Sequence, residues 1–487
     1  MRDLGGHAGR GLLKTIDWRL VIYYLLLILI GWVNIYASIH SSEPSSIFDW
    51  GCRSGKQFVW IMTSFGLAGI ILFALSPHIY EGLSIPIYAF ALLLLIAVIF
   101  LGIEVKGSRS WFEFGPIRFQ PAEVSKISTS LMLATVMSQL GYKISRIKDF
   151  IITAAIILVP MMIIVLQSET GSALVYVGFI FMLYREGLSG WILFIGGMAI
   201  LTFILTLTAS PFTAILVLAG ITSLCIFIYS GRLKWWLMIC LPVIIFMAFV
   251  PTTLNILSDP EAASFWNKIH PTHILWGALA ILIPTSVITA FREGNRFAHL
   301  AVLSFVAGVA LVYSTDFLFN KVLQDHQRKR IEVLLGMKED PSGVGYNVNQ
   351  AKIAIGSGGF AGKGYLNGTQ TAYGFVPEQS TDFIFCTIGE EWGFLGSSFV
   401  IILYVLLIWR IIKDAEKSRE AFTRIYGYCV ACCIFMHLFI NIGMTLGIMP
   451  VIGIPLPFVS YGGSSLWAFT ILLFIFIALH RNESKYF

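Results

Sequence analysis

The sequence predicts an all-α, polytopic membrane protein, and three observations carry that prediction. Of the 487 residues, 57% are hydrophobic and only 12% are charged, with a mean hydropathy of +0.81, a balance foreign to water-soluble chains. Apolar windows of roughly 17 to 25 residues, the length that crosses a bilayer as a helix, recur from Leu20 to His480. These windows do not alternate, which excludes a transmembrane barrel built from alternating segments of about ten residues.

In chain order, spans are expected at 20–39, 57–76, 84–103, 124–142, 151–167, 172–184, 190–208, 212–230, 235–254, 273–291, 300–317, 383–409, 425–449 and 463–480, about fourteen in all. The first 19 residues, "MRDLGGHAGRGLLKTIDWR", are basic but lead into a full-length span without a small-residue cleavage site. They read as a retained helix start rather than a removable signal. With a cytoplasmic N-terminus, the inside loops collect Arg2, Arg10, Lys14, Arg19, Lys143, Arg146, Lys148, Arg185, Arg232, Lys234, Arg292, Arg296, Arg410, Lys413, Lys417, Arg419, Arg424, Arg481 and Lys485. That asymmetry satisfies the positive-inside rule and leaves the C-terminus cytoplasmic too. The formal charge of +6 is thus a matter of orientation, with no nucleic-acid partner implied. Six of seven cysteines sit in apolar segments as small hydrophobes, and Cys52 has no evident mate, so no disulfide framework is expected.

The same parity places four polar stretches on the outer side: "SRSWFEFGPIRFQPAE" (108–123), "QSETG" (167–171), a long loop over 318–381, and "PVIGIPLPFVSYGG" (450–463). Loops of such length are usually functional. Eight glycines fall between Gly345 and Gly374, five of them in "GSGGFAGKG". That backbone either cradles a phosphate with exposed N–H groups beside Lys363 or is a flexible linker; Gln350 is a further polar candidate in the stretch. The absence of G-x-x-x-x-G-K-[ST] excludes a Walker loop. Upstream, "DHQRKRIEVLL" reads either as a helix on the membrane surface, with Arg328 and Arg330 on lipid phosphates, or as solvated charge. In 441–465, three prolines and five glycines interrupt apolar sequence, the pattern of a broken helix beside a cavity.

Carboxylates in an apolar run need a wet cavity or a partner. In "STDFIFCTIGEEWGFLG", Ser380 or Thr381 is expected to cap a helix starting near Asp382, whose carboxylate the helix dipole would favour. On an ideal helix Glu390 lies about 12 Å beyond Asp382 and about 80° round the axis. Glu123 and Lys126, three residues apart, pair with each other, or Lys126 faces Asp382 or Glu169 across a cavity.

The stretches "FGPIRFQPAEVSKI", "QSETGSALV", "HQRKRIEVLL", "GYNVNQAKIAIGSGGFAGKGYLNGTQ", "VPEQSTDFIFCTIGEEWGFLG" and "NIGMTLGIMPVIGIPLPFVSYGGSS" occur in that order. Together they resemble the SEDS (shape, elongation, division and sporulation) family, and "NGTQ" resembles its elongation branch. The resemblance implies a single membrane domain with a core of about ten helices, so residues 185–300 hold about four extra spans. It also implies a peptidoglycan polymerase at the outer face of the bacterial inner membrane. Its substrate would be lipid II, the undecaprenyl-pyrophosphate disaccharide-pentapeptide, and its partners a class B penicillin-binding protein and the elongation machinery. Carried over residue by residue, the catalytic aspartate falls on Asp382, and the supporting positions on Glu169, Glu123, Lys126, Glu390 and Glu391. Three departures stand out: Ser380 replaces a histidine, "QPDLG" reads "QSETG", and an Arg-Trp pair reads Ser110-Trp111.

Asp382 is then the general base in an inverting glycosyl transfer, with Lys126, Arg328, Arg330 and the 356–364 loop as candidates to hold the diphosphate. A divalent cation, magnesium or manganese, is a candidate to share that task, although no ligand cluster demands one. Two rival readings remain: a flippase for lipid-linked precursors and a non-catalytic scaffold.

Overall fold

The structure, a computed structural model, describes residues 16–40, 46–105, 107–115, 117–208, 211–229, 296–317, 325–335 and 344–483, with scattered positions between 243 and 321. The contacts divide the chain into two units, Met1–Leu188 with Glu339–Phe487, and Ser189–Lys338.

In the first unit, α1 (Trp18–Ile39) and α2 (Arg53–Gly69, extended by a π turn over Ile70–Ala74) lead to the short α3 (Pro77–Gly82) and to α4 (Ser84–Leu101). A three-stranded antiparallel sheet follows, β1 (Ile103–Val105), β2 (Ser108–Phe114) and β3 (Ile117–Phe119). Then come α5 (Pro121–Met137), α6 (Ile147–Leu166), α7 (Thr170–Val177) and α8 (Phe179–Arg185). In the second unit lie α9 (Gly190–Thr208), α10 (Pro211–Tyr229), α11 (Arg296–Phe317) and α12 (Asp325–Leu334). The chain returns to the first unit with α13 (Val344–Ser357), α14 (Thr369–Ala372), α15 (Ile384–Lys417), α16 (Ala421–Thr445) and α17 (Gly463–Glu483).

Eight of the described helices are long and apolar enough to cross a membrane, α1, α2, α4, α6, α9, α15, α16 and α17. The expected count of fourteen is not reached among the described residues: α5 falls short at 17 residues and 172–184 splits into α7 and α8 at Gly178. All of 235–254 but position 243, and about half of 273–291, lie outside the described residues. The sheet over 103–119 departs from a purely helical expectation. Its register sets Glu104 opposite Arg109 and Glu113 opposite Arg118, and glycines at positive φ (Gly107, 84°; Gly115, 61°) form the two turns.

The core of the first unit centres on α16 and α17, whose faces are buried nearly all round, while α4 and α6 turn Leu93, Phe100, Leu158 and Met162 outward. A helix apolar on every side, largely uncovered by protein, is what a lipid-facing span requires. In the second unit, Met198, Ile215, Leu218, Phe305 and Val309 close a separate core. There α10 and α11 approach closely, since a Cβ on Gly308 would lie 3.0 Å from Leu218.

Side-chain bonds identify the two ends of the first unit. At one end, Arg185 pairs with Glu416 (2.6 Å) and Arg424 with Glu186 (3.0 Å), and Arg410 joins Asp17 to Asp414. At the other, Gln379 bonds the Ser38 carbonyl. Thus α1 and α15 run antiparallel, as the expected parity requires.

Candidate functional site

The polar stretches from 108, 167, 380 and 450 meet at that second end. Ser108 and Ser110, on β2, donate to Glu169 Oε2 at 2.7 and 3.1 Å. Two residues on, Gly171 lies so close to the loop after α16 that a Cβ would sit 2.9 Å from Ile452. Further along that loop, Tyr461 N donates to Ser380 O at 2.8 Å and Ser460 Oγ to Thr381 O at 2.6 Å. Between them lies Asp382, half-buried.

Asp382 is not in the first turn of a helix. Residues 378–383 form tight turns and α15 starts at Ile384, with Phe383 as its uncapped N-cap. Ser380 therefore does not cap it: its hydroxyl accepts from Arg53 at 2.6 Å, while Thr381 Oγ1 reaches back to Glu378. Arg53 also lies over the Tyr461 ring, 6.0 Å from its centroid. Gly453, at φ 75°, brings the loop against Asp382, since a Cβ there would stand 3.3 Å from Oδ2.

The Lys126–Glu123 pair lies within α5, both side chains 2% exposed, at 2.8 Å. Lys126 Nζ is also 2.8 Å from His437 Nε2, and His437 Nδ1 is 3.0 Å from Pro455 O. One turn along α16, Asn441 donates its amide to Asp382 O (2.8 Å) and Ile454 O (2.6 Å). Sequence reasoning missed His437, Asn441 and Arg53. For the first two the signal was present, since polar residues four apart in an apolar helix share one face.

Glu390 and Lys363 come together away from this constellation. Glu390, fully buried, accepts from Lys363 Nζ (2.6 Å), from the amides of Gln370 (2.8 Å) and Thr371 (2.9 Å), and from Thr371 Oγ1 (2.9 Å). The amides proposed as a phosphate cradle have protein partners: Lys363 N bonds Glu390 O and Gly364 N bonds Glu391 O. The reason lies in α15, which is interrupted at Gly393 (φ 63°, ψ −156°). There Phe394 N and Leu395 N turn to the carbonyls of Gly359 and Phe360. The glycine run fills a gap in a helix, and at two points only a residue without Cβ fits: a Cβ would lie 2.0 Å from Gly389 O on Gly358 and 2.1 Å from Glu391 O on Gly362.

Gln350 lies half-buried on α13. Arg328 and Arg330 are on α12 of the second unit, with Arg328 3.7 Å from Glu332. Among the described residues no group of three or more His, Cys, Asp or Glu side chains is arranged to hold a metal ion.

A family model described as "Cell cycle protein" (FtsW, RodA, SpoVE) matches residues 17–219 and 276–485. The chain belongs to this FtsW/RodA/SpoVE family. The unmatched stretch, 220–275, lies inside the segment expected to hold extra helices. Within the family, the peptidoglycan glycosyltransferase MrdB of Escherichia coli strain K12 is 29% identical over 415 residues, 85% of this chain and 82% of its own. The peptidoglycan glycosyltransferase RodA of Treponema pallidum strain Nichols is 29% identical over 473 residues, 96% of this chain and 98% of its own. Two solved structures share the FtsW/RodA/SpoVE fold with this chain. One comes from a study of how a peptidoglycan synthase complex coordinates polymerization and crosslinking (TM-score 0.61, 24% identity, 96% of this chain and 99% of that one). The other is the rod shape determining protein RodA of Thermus thermophilus (TM-score 0.51, 22% identity, 96% and 97%).

Proposed function

We propose that this protein is a peptidoglycan glycosyltransferase that joins lipid II disaccharide units into glycan strands at the outer face of the bacterial inner membrane, with both termini cytoplasmic. The observation that carries the reading is the half-buried Asp382 at the mouth of α15, bordered by the 450–462 loop and by Arg53. The glycosyltransferase names of relatives aligned along most of the chain support it over precursor transport.

In this mechanism the 4-hydroxyl of an acceptor GlcNAc attacks the anomeric carbon of the lipid-linked MurNAc donor. The hydroxyl proton passes to Asp382, the C1–O bond to the diphosphate breaks with inversion, and undecaprenyl diphosphate leaves. General-base assistance of this kind contributes about 10² to 10⁴ in rate. Arg53, exposed beside Ser380, supplies a cation where charge develops on the leaving group. Lys126, buried between Glu123 and His437, supports the site from within, and Glu169 is held ready by Ser108 and Ser110. Gln350, on α13 of the first unit, is a further substrate contact. A magnesium or manganese ion on the substrate's diphosphate would offset the charge that develops on the leaving group. A class B penicillin-binding protein of the elongation machinery is the partner that cross-links the product.

The test is glycan polymerisation from labelled lipid II by the purified protein, with and without a class B partner, comparing wild type with Asp382→Asn. Polymer from wild type and none from a folded Asp382→Asn is expected. Equal polymer from both removes Asp382 as the base, and none from either favours transport or scaffolding.

A further inference from the structure

A histidine buried in a membrane helix must have both ring nitrogens satisfied or stand at a cost. His437, 1% exposed, has both satisfied by groups from two other segments, Lys126 Nζ at Nε2 (2.8 Å) and Pro455 O at Nδ1 (3.0 Å). The Phe469 ring meets it edge-on, centroids 4.7 Å apart. An ammonium has only hydrogens to give and a carbonyl only lone pairs. Nε2 therefore accepts and Nδ1 carries the hydrogen, which fixes the imidazole as one neutral tautomer. Behind Lys126 stands Glu123 at 2.8 Å, so the line Glu123, Lys126, His437, Pro455 has a defined direction at every bond.

Four residues along the same helix face, Asn441 grips Ile454 O. Two side chains of α16 thus hold two consecutive carbonyls of the loop. That loop carries Gly453 against the Asp382 carboxylate, Ser460 onto Thr381 O and Tyr461 onto Ser380 O. Asn441 itself also reaches Asp382 O.

We propose that His437 is a positioning residue for the transfer reaction: set in one tautomer by Lys126, it fixes the Pro455 carbonyl, and with it the loop that borders the Asp382 turn. This rests on the reading of Asp382 as the base. It also gives the buried Glu123–Lys126 pair a task that needs no contact with substrate, because the pair orients the imidazole that orients the loop. A small displacement at His437 therefore reaches the reacting groups through the loop and its bonds to the Asp382 turn.

The experiment compares His437→Gln, which keeps an acceptor and a donor of similar reach, with His437→Leu, which keeps bulk and removes both. In lipid II polymerisation, kcat of His437→Leu falls about ten- to a hundredfold, the scale expected of an ångström-sized misplacement. KM stays within about threefold, and His437→Gln returns kcat to within about threefold of wild type. Backbone hydrogen exchange gives a readout independent of activity. In His437→Leu the amides of Leu456, Ser460 and Tyr461, bonded within the loop and to Ser380, exchange about tenfold faster. Those of Lys363 and Gly364, bonded to α15, keep their rate. Unchanged exchange at Leu456–Tyr461 overturns the proposal, and so does wild-type kcat in His437→Leu or a Gln variant as slow as Leu. Acceleration that includes Lys363 and Gly364 overturns it as well, because it marks global loosening. A wild-type protein that makes no polymer removes the functional reading, while the exchange pattern still decides whether His437 holds the loop.

Discussion

The Lys363 ammonium lies 2.6 Å from Glu390 Oε1 and fastens the glycine-rich loop to the buried part of α15. Glu390 also takes two backbone amides and a hydroxyl, so its removal strands several donors at once. Glu390→Ala is expected to cost about 3–5 kcal/mol, the range for breaking a buried charge pair. Lys363→Met is expected to cost only about 1–2 kcal/mol, because the carboxylate keeps its amide partners. Unfolding in detergent measures both, and equal losses would refute the assignment of Glu390 as the hub.

Gly393 has backbone angles closed to residues with a Cβ, and an added methyl would stand 2.3 Å from Gly362 N. Gly393→Ala should destabilise the protein by at least about 2–3 kcal/mol. Gly356, on α13 with open space around it, is the control: Gly356→Ala should be neutral or stabilising by up to about 1 kcal/mol. A Tm that falls alike in both would show that the break is not the cause.

Gly453→Ala introduces a methyl 3.3 Å from Asp382 Oδ2 at a residue with φ 75°. Polymerisation should drop about tenfold or more through displacement of the carboxylate, with a stability loss of about 1 kcal/mol. Wild-type turnover in a folded Gly453→Ala protein would contradict the close approach of loop and base.

At the opposite end, Arg410 lies between Asp17 and Asp414, which is 1% exposed. Arg410→Met leaves two neighbouring carboxylates without their cation and should cost about 3–5 kcal/mol. Asp414→Asn, which keeps shape and sheds one charge, should change stability by less than about 1 kcal/mol. Reversal of that order in a denaturation series would rule out the arrangement.

The helical spans were legible because length and hydropathy alone specify them: α1, α4, α9, α10 and α17 begin within two residues of the expected positions, and α15 within one. Local reasoning failed where tertiary partners decide. Ser380 carries a good capping side chain, yet Arg53, distant in sequence, takes it and α15 starts uncapped at Ile384. The glycines of 356–364 were legible as sites of close approach, but nothing local revealed that what they approach is the protein's own backbone. The pairing of Glu123 with Lys126 followed from their spacing. Their continuation to His437 did not, because 311 residues of chain separate Lys126 from that ring.

The interruption at Gly393 also bears on how the chain enters the membrane. Each backbone N–H or C=O left open in hydrocarbon costs several kcal/mol, and four such groups on α15, Glu390 O, Glu391 O, Phe394 N and Leu395 N, bond to residues 359–364. Those residues precede α15 in the sequence and leave the ribosome first. The plug is thus already made when the broken span arrives at the translocon, so the order of synthesis matches the order of need. A chain severed after Gly374 and supplied as two pieces would have to insert that span with its breach open.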